Sequence, residues 1–240
     1  MKKITIGSFN LKNHYYDRNW DGNDYPKQLA DFIKKNNITF LGTQELVKKY
    51  ANKLQQELGS SYTINGKYRY GNIPFINNFN EANAIITKEN VIYTETKYLA
   101  KIPFLSHGTQ MPRIMTTIQT EEHFILNTHL EYWHQLPQKH QLKILYNFLS
   151  THKENLPIIT GDFNMTVLEK HFFDFISALN DLGMQYLNNI VPTVPGQHKI
   201  LSHIFIPNNY EIDDLKVIQN QPINKISTHR PILVKVRKKY

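Results

Sequence analysis

The sequence predicts an α/β fold, and three observations carry that prediction. Apolar runs rich in β-branched residues alternate with stretches of helical periodicity, the runs are short and bounded by Gly, Asn or Pro, and the order strand, helix, strand occurs twice before the chain ends in strands. A core of two sheet layers with helices outside fits this order best. With 240 residues, 40% of them hydrophobic, the chain can bury a full core, and no stretch has the composition of a linker. One domain spanning 1–240 is expected.

The elements follow in order. "ITIGSFNL" reads as a buried strand that delivers Asn10 to a sheet edge, and "KNHYYDRNWDGNDYP" as a loop. In "PKQLADFIKKNN", Leu29, Phe32 and Ile33 share a helical face behind Pro26, a good first-turn residue, and "ITFLGTQE" resumes a strand. "LVKKYANKLQQELG" places Leu46, Tyr50, Leu54 and Leu58 at helical spacing and stops at Gly59, so Glu45 stands at a strand-to-helix junction. "SYTI", "NAIIT" and "VIYTETKYL" read as short strands between surface loops, and "RIMTTIQT" with "HFILNTHL" as a hairpin around Glu121 and Glu122. "QLPQKHQLKILYNFLSTH" puts Leu142, Leu145, Tyr146 and Leu149 on one helical face, and "LPIITGDFN" follows as a strand breaking at Gly161. A helix over "HFFDFISALNDLG" precedes strands at "ILSHIFIP", "LKVIQ" and "RPILVKVRKK", with "EIDDLK" as a surface turn.

Composition narrows the chemistry. The chain has no cysteine, which excludes disulfides, thiolate catalysis and sulfur-built zinc sites and leaves Asp, Glu, Asn and His as ligands for a hard, oxygen-loving ion. A net charge of +8 favours an anionic partner. No window approaches ~18 consecutive apolar residues, and "MKKITIGSFNL" lacks the apolar run and cleavage site of a leader. A soluble, cytoplasmic monomer is the expectation.

Five polar signals stand at expected strand ends: Asn10, Glu45, His129 in "NTHL", Asp162 and Asn164 in "GDFN", and His229 in "STHRP". Each alone has an ordinary structural reading as a turn former, a first-turn acid or a satisfied histidine. Together they supply carboxylate and amide oxygens for a divalent ion, a carboxylate to activate water, and imidazoles to face a phosphate.

In this order and spacing "FN", "GTQE", "NTHL", "GDFN" and the terminal "S-x-H-x-P-I" resemble the endonuclease/exonuclease/phosphatase superfamily over nearly the whole chain. The resemblance implies a four-layer αββα sandwich of two packed mixed sheets, a Mg²⁺ ion that Mn²⁺ can replace, and in-line attack by water on phosphorus. It implies Glu45 as metal ligand with Asn10 beside it, Asp162 as the carboxylate that orients or deprotonates water, and Asn164 as an amide holding phosphate. It further implies His129 as a residue facing phosphate or leaving group, and His229 as the stabiliser of the transition state. Arg113 and Arg69 can add fixed positive charge, and Asn83 lies where the family often carries a site-facing polar residue. The implied activity is hydrolysis of phosphodiesters, of a nuclease type, on a phosphate-containing partner that can be nucleic acid.

Two positions depart from that pattern. The superfamily usually reads "SDH" and "DHI" where this chain has Thr228 and Ser202, so two aspartates that support the last histidine and the metal are replaced by hydroxyls. Weakened or atypical catalysis, or binding without catalysis, follows from their loss. Asp213 or Asp214 in "EIDDLK" is a substitute acid in principle. For the substrate, "KVRKKY" and "IKKNN" suit nucleic acid, the apolar loop of Phe75, Ile76 and Phe79 or Trp133 suits lipid, and Tyr132, Trp133 and His134 suit the wall of a pocket for a small phosphoester.

Overall fold

Alternation along the strands decides where everything sits. The computed structural model describes residues 3–12, 24–71, 80–99, 111–220, 223 and 226–239. The apolar loop of Phe75, Ile76 and Phe79 lies outside the described residues. Strands β1 (Lys3–Asn10), β2 (Phe40–Val47), β3 (Thr63–Asn65), β4 (Glu81–Thr87), β5 (Tyr93–Tyr98), β6 (Ile114–Gln119), β7 (Phe124–His129), β8 (Ile158–Asp162), β9 (Met184–Tyr186), β10 (Ser202–Pro207), β11 (Tyr210–Val217) and β12 (Ile232–Lys238) form two six-stranded sheets. Their orders are β11-β12-β1-β2-β4-β3 and β5-β6-β7-β8-β10-β9. Both are mixed: β1 runs parallel to β2 and β7 parallel to β8, and the other neighbours are antiparallel.

Helices α1 (Tyr25–Lys35) and α2 (Lys48–Leu58) cover the outer face of the first sheet, and α3 (Gln135–Thr151) and α4 (Lys170–Asp181) cover the second. Leu29, Ile33 and Leu54 pack against Phe9 and Leu41, while Leu145, Leu149 and Phe172 pack against Leu126 and Phe205. Between the sheets lies a third apolar layer of Ile4, Ile6, Phe40, Ile125, Ile158, Ile204, Ile206, Val234 and Val236. This is the expected αββα sandwich, with β1 facing β8 and β2 facing β7 across the inner layer.

Because side chains alternate with period two, each inner strand face changes character along its length. The series are Ile4, Ile6, Ser8, Asn10 on β1, Ile125, Asn127, His129 on β7, Ile158, Thr160, Asp162 on β8, and Ile206, Ile204, Ser202 on β10. Register aligns them: Ile125 stands beside Ile158, Asn127 beside Thr160, and His129 and Ser202 on either side of Asp162. The inner layer is therefore aliphatic at one end, neutral and polar midway, and ionisable at the other end.

The "EIDDLK" segment corrects one expectation. It is part of β11, an edge strand bulged between Ile212 and Asp214, and not a turn. An edge tolerates the charges because they face water and partners: Asp213 lies 2.9 Å from Lys3 and 3.5 Å from Arg237, which also pairs with Glu211. Neither acid is offered to His229.

Sheet separation midway depends on Gly42, where a Cβ would lie 2.6 Å from Asn127 Oδ1 and closer still to Thr160 Oγ1. Gly42→Ala is expected to destabilise the protein by about 2–4 kcal/mol. Gly196→Ala, whose Cβ meets nothing within 4 Å, is expected to stay within about 0.5 kcal/mol. Urea midpoints of the two variants check this.

Candidate active site

The ionisable end of the inner layer gathers the residues singled out in the sequence. Asn10 Nδ2 donates to Glu45 Oε1 at 2.9 Å and to Asp162 Oδ2 at 2.8 Å, joining the two sheets through one amide. Its Oδ1 accepts the backbone N–H of Lys12 at 2.7 Å. Asp162 is wholly buried, and its second oxygen accepts the backbone N–H of Asn164 at 3.0 Å, an Asx turn that starts the loop after β8.

Glu45 reaches this end through a backbone irregularity. Strict alternation would send Gln44 inward and Glu45 toward the helices, but β2 is bulged between Thr43 and Leu46, and Glu45 has φ of 59°. Asn164 and Lys12 also hold left-handed backbone, at 54° and 52°. Three of the five non-glycine residues with positive φ among the described residues thus lie at this site, the clustering of strain expected where geometry serves function.

His129 sits beneath Glu45, its Nε2 4.0 Å from Oε1, and accepts a hydrogen bond from Asn164 Nδ2 at 3.0 Å. The same amide nitrogen donates to Leu130 O. Burial first, then the charges of Arg113 and Arg69, holds the His129 imidazole well below its ordinary range. A neutral ring that accepts at Nε2 carries its proton on Nδ1. His129 therefore fixes the Asn164 amide.

His229 enters from the loop before β12, its backbone N–H held by Ser227 Oγ at 3.0 Å. Its Nδ1 faces Asp162 Oδ2 at 3.5 Å, beyond ordinary hydrogen-bond length, and has no hydrogen-bond partner among the described residues. Ser202 Oγ, buried beside Asp162 in the strand register, also has none among the described residues. Thr228 points to solvent.

The other candidates lie around this centre. Arg113 Nε is 3.6 Å from Glu131, and Arg69 pairs with Glu81, both within electrostatic range of His129. Asn83 gives its amide to Ile114 O at 2.7 Å, and Trp133 and Tyr132 are exposed where the chain leaves β7. Behind the centre stands a polar brace that the motifs did not single out. Gln44 Nε2 donates to Asn127 Oδ1 at 2.8 Å, Asn127 Nδ2 donates to Thr43 O at 2.8 Å and Ala84 O at 3.0 Å, and Thr160 Oγ1 approaches Asn127 Oδ1 at 3.2 Å. Its signal was the period-two pattern carried one step back from Asp162 and His129.

The donors suit a hard cation. Two carboxylates converge on one amide nitrogen, a point of concentrated negative charge, and Glu45 keeps 21% of its side chain exposed. Among the described residues no three His, Cys, Asp or Glu side chains are placed to share an ion. One or two carboxylates, with water and a substrate phosphate completing the shell, is the pattern of Mg²⁺. Glu45 would hold it, with Asn10 beside it.

No family model and no curated protein matches the chain. Solved structures do. An endonuclease/exonuclease/phosphatase protein of Bacteroides vulgatus superposes with a TM-score of 0.81 at 16% identity, covering 100% of both chains. The chain has the endonuclease/exonuclease/phosphatase fold. The same fold is shared with a mannosyl-6-phosphatase of Bacteroides thetaiotaomicron, at TM-score 0.78 and 17% identity over 98% of this chain and 99% of that one. TDP2 of D. rerio, complexed with a single-strand DNA product, gives 0.74 at 13% identity over 99% of this chain and 100% of that one. Among the described residues, no helix in this version of the fold is long and apolar enough to cross a membrane.

One further histidine underlies the site. His203 is buried, with Nε2 on Met165 O at 2.8 Å and Nδ1 on Tyr186 OH at 3.0 Å, and burial lowers its pKa to about 4. The unfolded imidazole takes a proton near pH 6.5 and the folded one only near 4, so the folded state loses stability as pH falls through that window and levels below it. Wild type is expected to lose about 3 kcal/mol more than His203→Gln between pH 7 and 4. Chemical denaturation of both proteins across that range checks it.

Proposed function

We propose that this chain is a divalent-metal-dependent phosphoester hydrolase that cuts phosphodiesters. The observation carrying the reading is the convergence of Glu45, Asn10, Asp162, Asn164, His129 and His229 at one end of the inter-sheet layer, with Asp162 held by two hydrogen bonds and faced by His229. Structures of the same fold include a mannosyl-6-phosphatase and TDP2 with a DNA product, both of which handle phosphate esters.

Each group has a task in such a reaction. Asp162, anchored by Asn10 and the Asn164 backbone, orients water and takes its proton as the oxygen attacks phosphorus. Asn164, with both amide hydrogens taken by His129 Nε2 and Leu130 O, braces the loop after β8 beside Asp162, and His229 donates to the oxygens that gain charge in the transition state. The bond from phosphorus to the leaving oxygen breaks, that oxygen departs as an alcohol with a proton from solvent water, and Asp162 returns the proton it took to solvent. A Mg²⁺ ion, when bound, neutralises phosphate charge and polarises the phosphorus–oxygen bond.

A second reading, phosphate binding without turnover, is favoured by one observation. His229 Nδ1 and Ser202 Oγ are buried without hydrogen-bond partners among the described residues, so the imidazole lacks a hydrogen-bonded carboxylate to orient it. Hydrolysis of supercoiled plasmid and of a chromogenic phosphodiester with Mg²⁺ or Mn²⁺ separates the two. Wild type is expected to exceed Asp162→Ala by about 10³-fold or more, and Ser202→Asp to raise turnover by about tenfold. Activity in Ser202→Asp alone identifies a disabled hydrolase that binds. Activity in none of the three overturns the hydrolase reading.

A further inference from the structure

Beside His229 the site opens into a cleft of about 670 Å³. One wall is the segment from Val194 to Gln197 and the other runs from Ser227 to Arg230, with Lys12 completing the lining. Among the described residues the lining carries two fixed cations, Lys12 and Arg230, and no Asp or Glu. That balance is the reverse of the neighbouring centre, where Glu45 and Asp162 supply negative charge.

The walls are built. Arg230 N–H donates to Thr193 O at 2.7 Å, and Thr193 Oγ1 accepts the backbone N–H groups of Leu201 and Ser202 at 2.9 and 3.2 Å. A bridge between Val194 and Lys199 closes the single turn Pro195–Gln197. Lys12 is set by its left-handed backbone and its hydrogen bond to Asn10. Arg230 Nε is buried with no hydrogen-bond partner among the described residues. A buried guanidinium N–H left without an acceptor is costly, and an anion offsets that cost.

Thr228 gives the departure at this position a consequence. It lies on the cleft wall and is exposed. An aspartate there would add a carboxylate to a lining that carries two cations, whereas threonine adds a hydroxyl and no charge.

We propose that this cleft is a second anion subsite, which takes a further phosphate group of the substrate, and that threonine at 228 keeps it free of negative charge. The substrate assignment rests on the phosphoester reading above; the binding of phosphate in the cleft does not. The preferred substrates are accordingly diesters that carry another phosphate.

Two pairs of substrates test it: a thymidine dinucleotide diester with and without a terminal phosphate, and a propanediol diester with and without one. In wild type with Mg²⁺, kcat/KM is expected to be about tenfold or more higher for the phosphate-bearing member of each pair. In Thr228→Asp and Arg230→Met the ratio is expected to fall to within about twofold. An advantage confined to the dinucleotides would show that the cleft reads a nucleotide, and would overturn the assignment. Calorimetric binding of thymidine 5′-phosphate against thymidine, in Asp162→Asn protein, reads the subsite without turnover. Phosphate-dependent binding that weakens by about tenfold in the added Thr228→Asp background upholds the subsite even where no protein hydrolyses either diester, a result that overturns the hydrolase reading alone. No phosphate-dependent gain in either assay overturns the subsite.

Discussion

The amide of Asn10 is the constraint on which the arrangement depends. It stands on the first sheet, donates to Glu45 on its neighbour strand and to Asp162 on the opposite sheet, and so links two carboxylates that would otherwise face each other across the inner layer. Two like charges brought together in a buried place need a shared donor or a cation. Everything nearby follows from that link: the bulge that turns Glu45 inward, the Asx turn that carries Asn164, and the approach of His229 to the remaining face of Asp162.

Such a centre is held at depth because the donors of the layer beneath it are satisfied, Gln44 Oε1 being a buried acceptor of that layer with no partner among the described residues. Gln44, Asn127 and Thr160 place polar groups between two sheets, where an unpaired amide or hydroxyl costs about 1–3 kcal/mol. Mutual hydrogen bonds and backbone carbonyls meet the donors of that brace. Below it the contacts are apolar. The gradient from isoleucine through amide to carboxylate gives the centre a rigid floor and leaves its strain, at Glu45, Asn164 and Lys12, in the loops and the bulge above.

Much of this was legible in the sequence, because the motifs that end the strands are short and local. "ITIGSFN", "IITGD" and "FILNTH" each state their own inward face by alternation, and that fixes Asn10, Asp162 and His129 on one layer. The bulge was not legible: nothing in "GTQE" announces that two consecutive side chains turn the same way. β11 was obscured because its alternation is carried by Glu211, Asp213 and Lys216 at an edge where solvent and ion pairs replace burial. The brace was overlooked for the opposite reason, since Gln44 and Asn127 look like surface residues until their partners on other strands are known. The cleft joins residue 12 to segments near 195 and 229, a juxtaposition that only the tertiary fold creates.

The most direct test of the account is a crystal structure grown with Mg²⁺ and orthovanadate, which imitates five-coordinate phosphorus. The account predicts a metal on Glu45 beside Asn10, with vanadate against Asp162 and His229. A metal or vanadate bound away from these residues, with the Asn10 amide still joining Glu45 to Asp162, would contradict it.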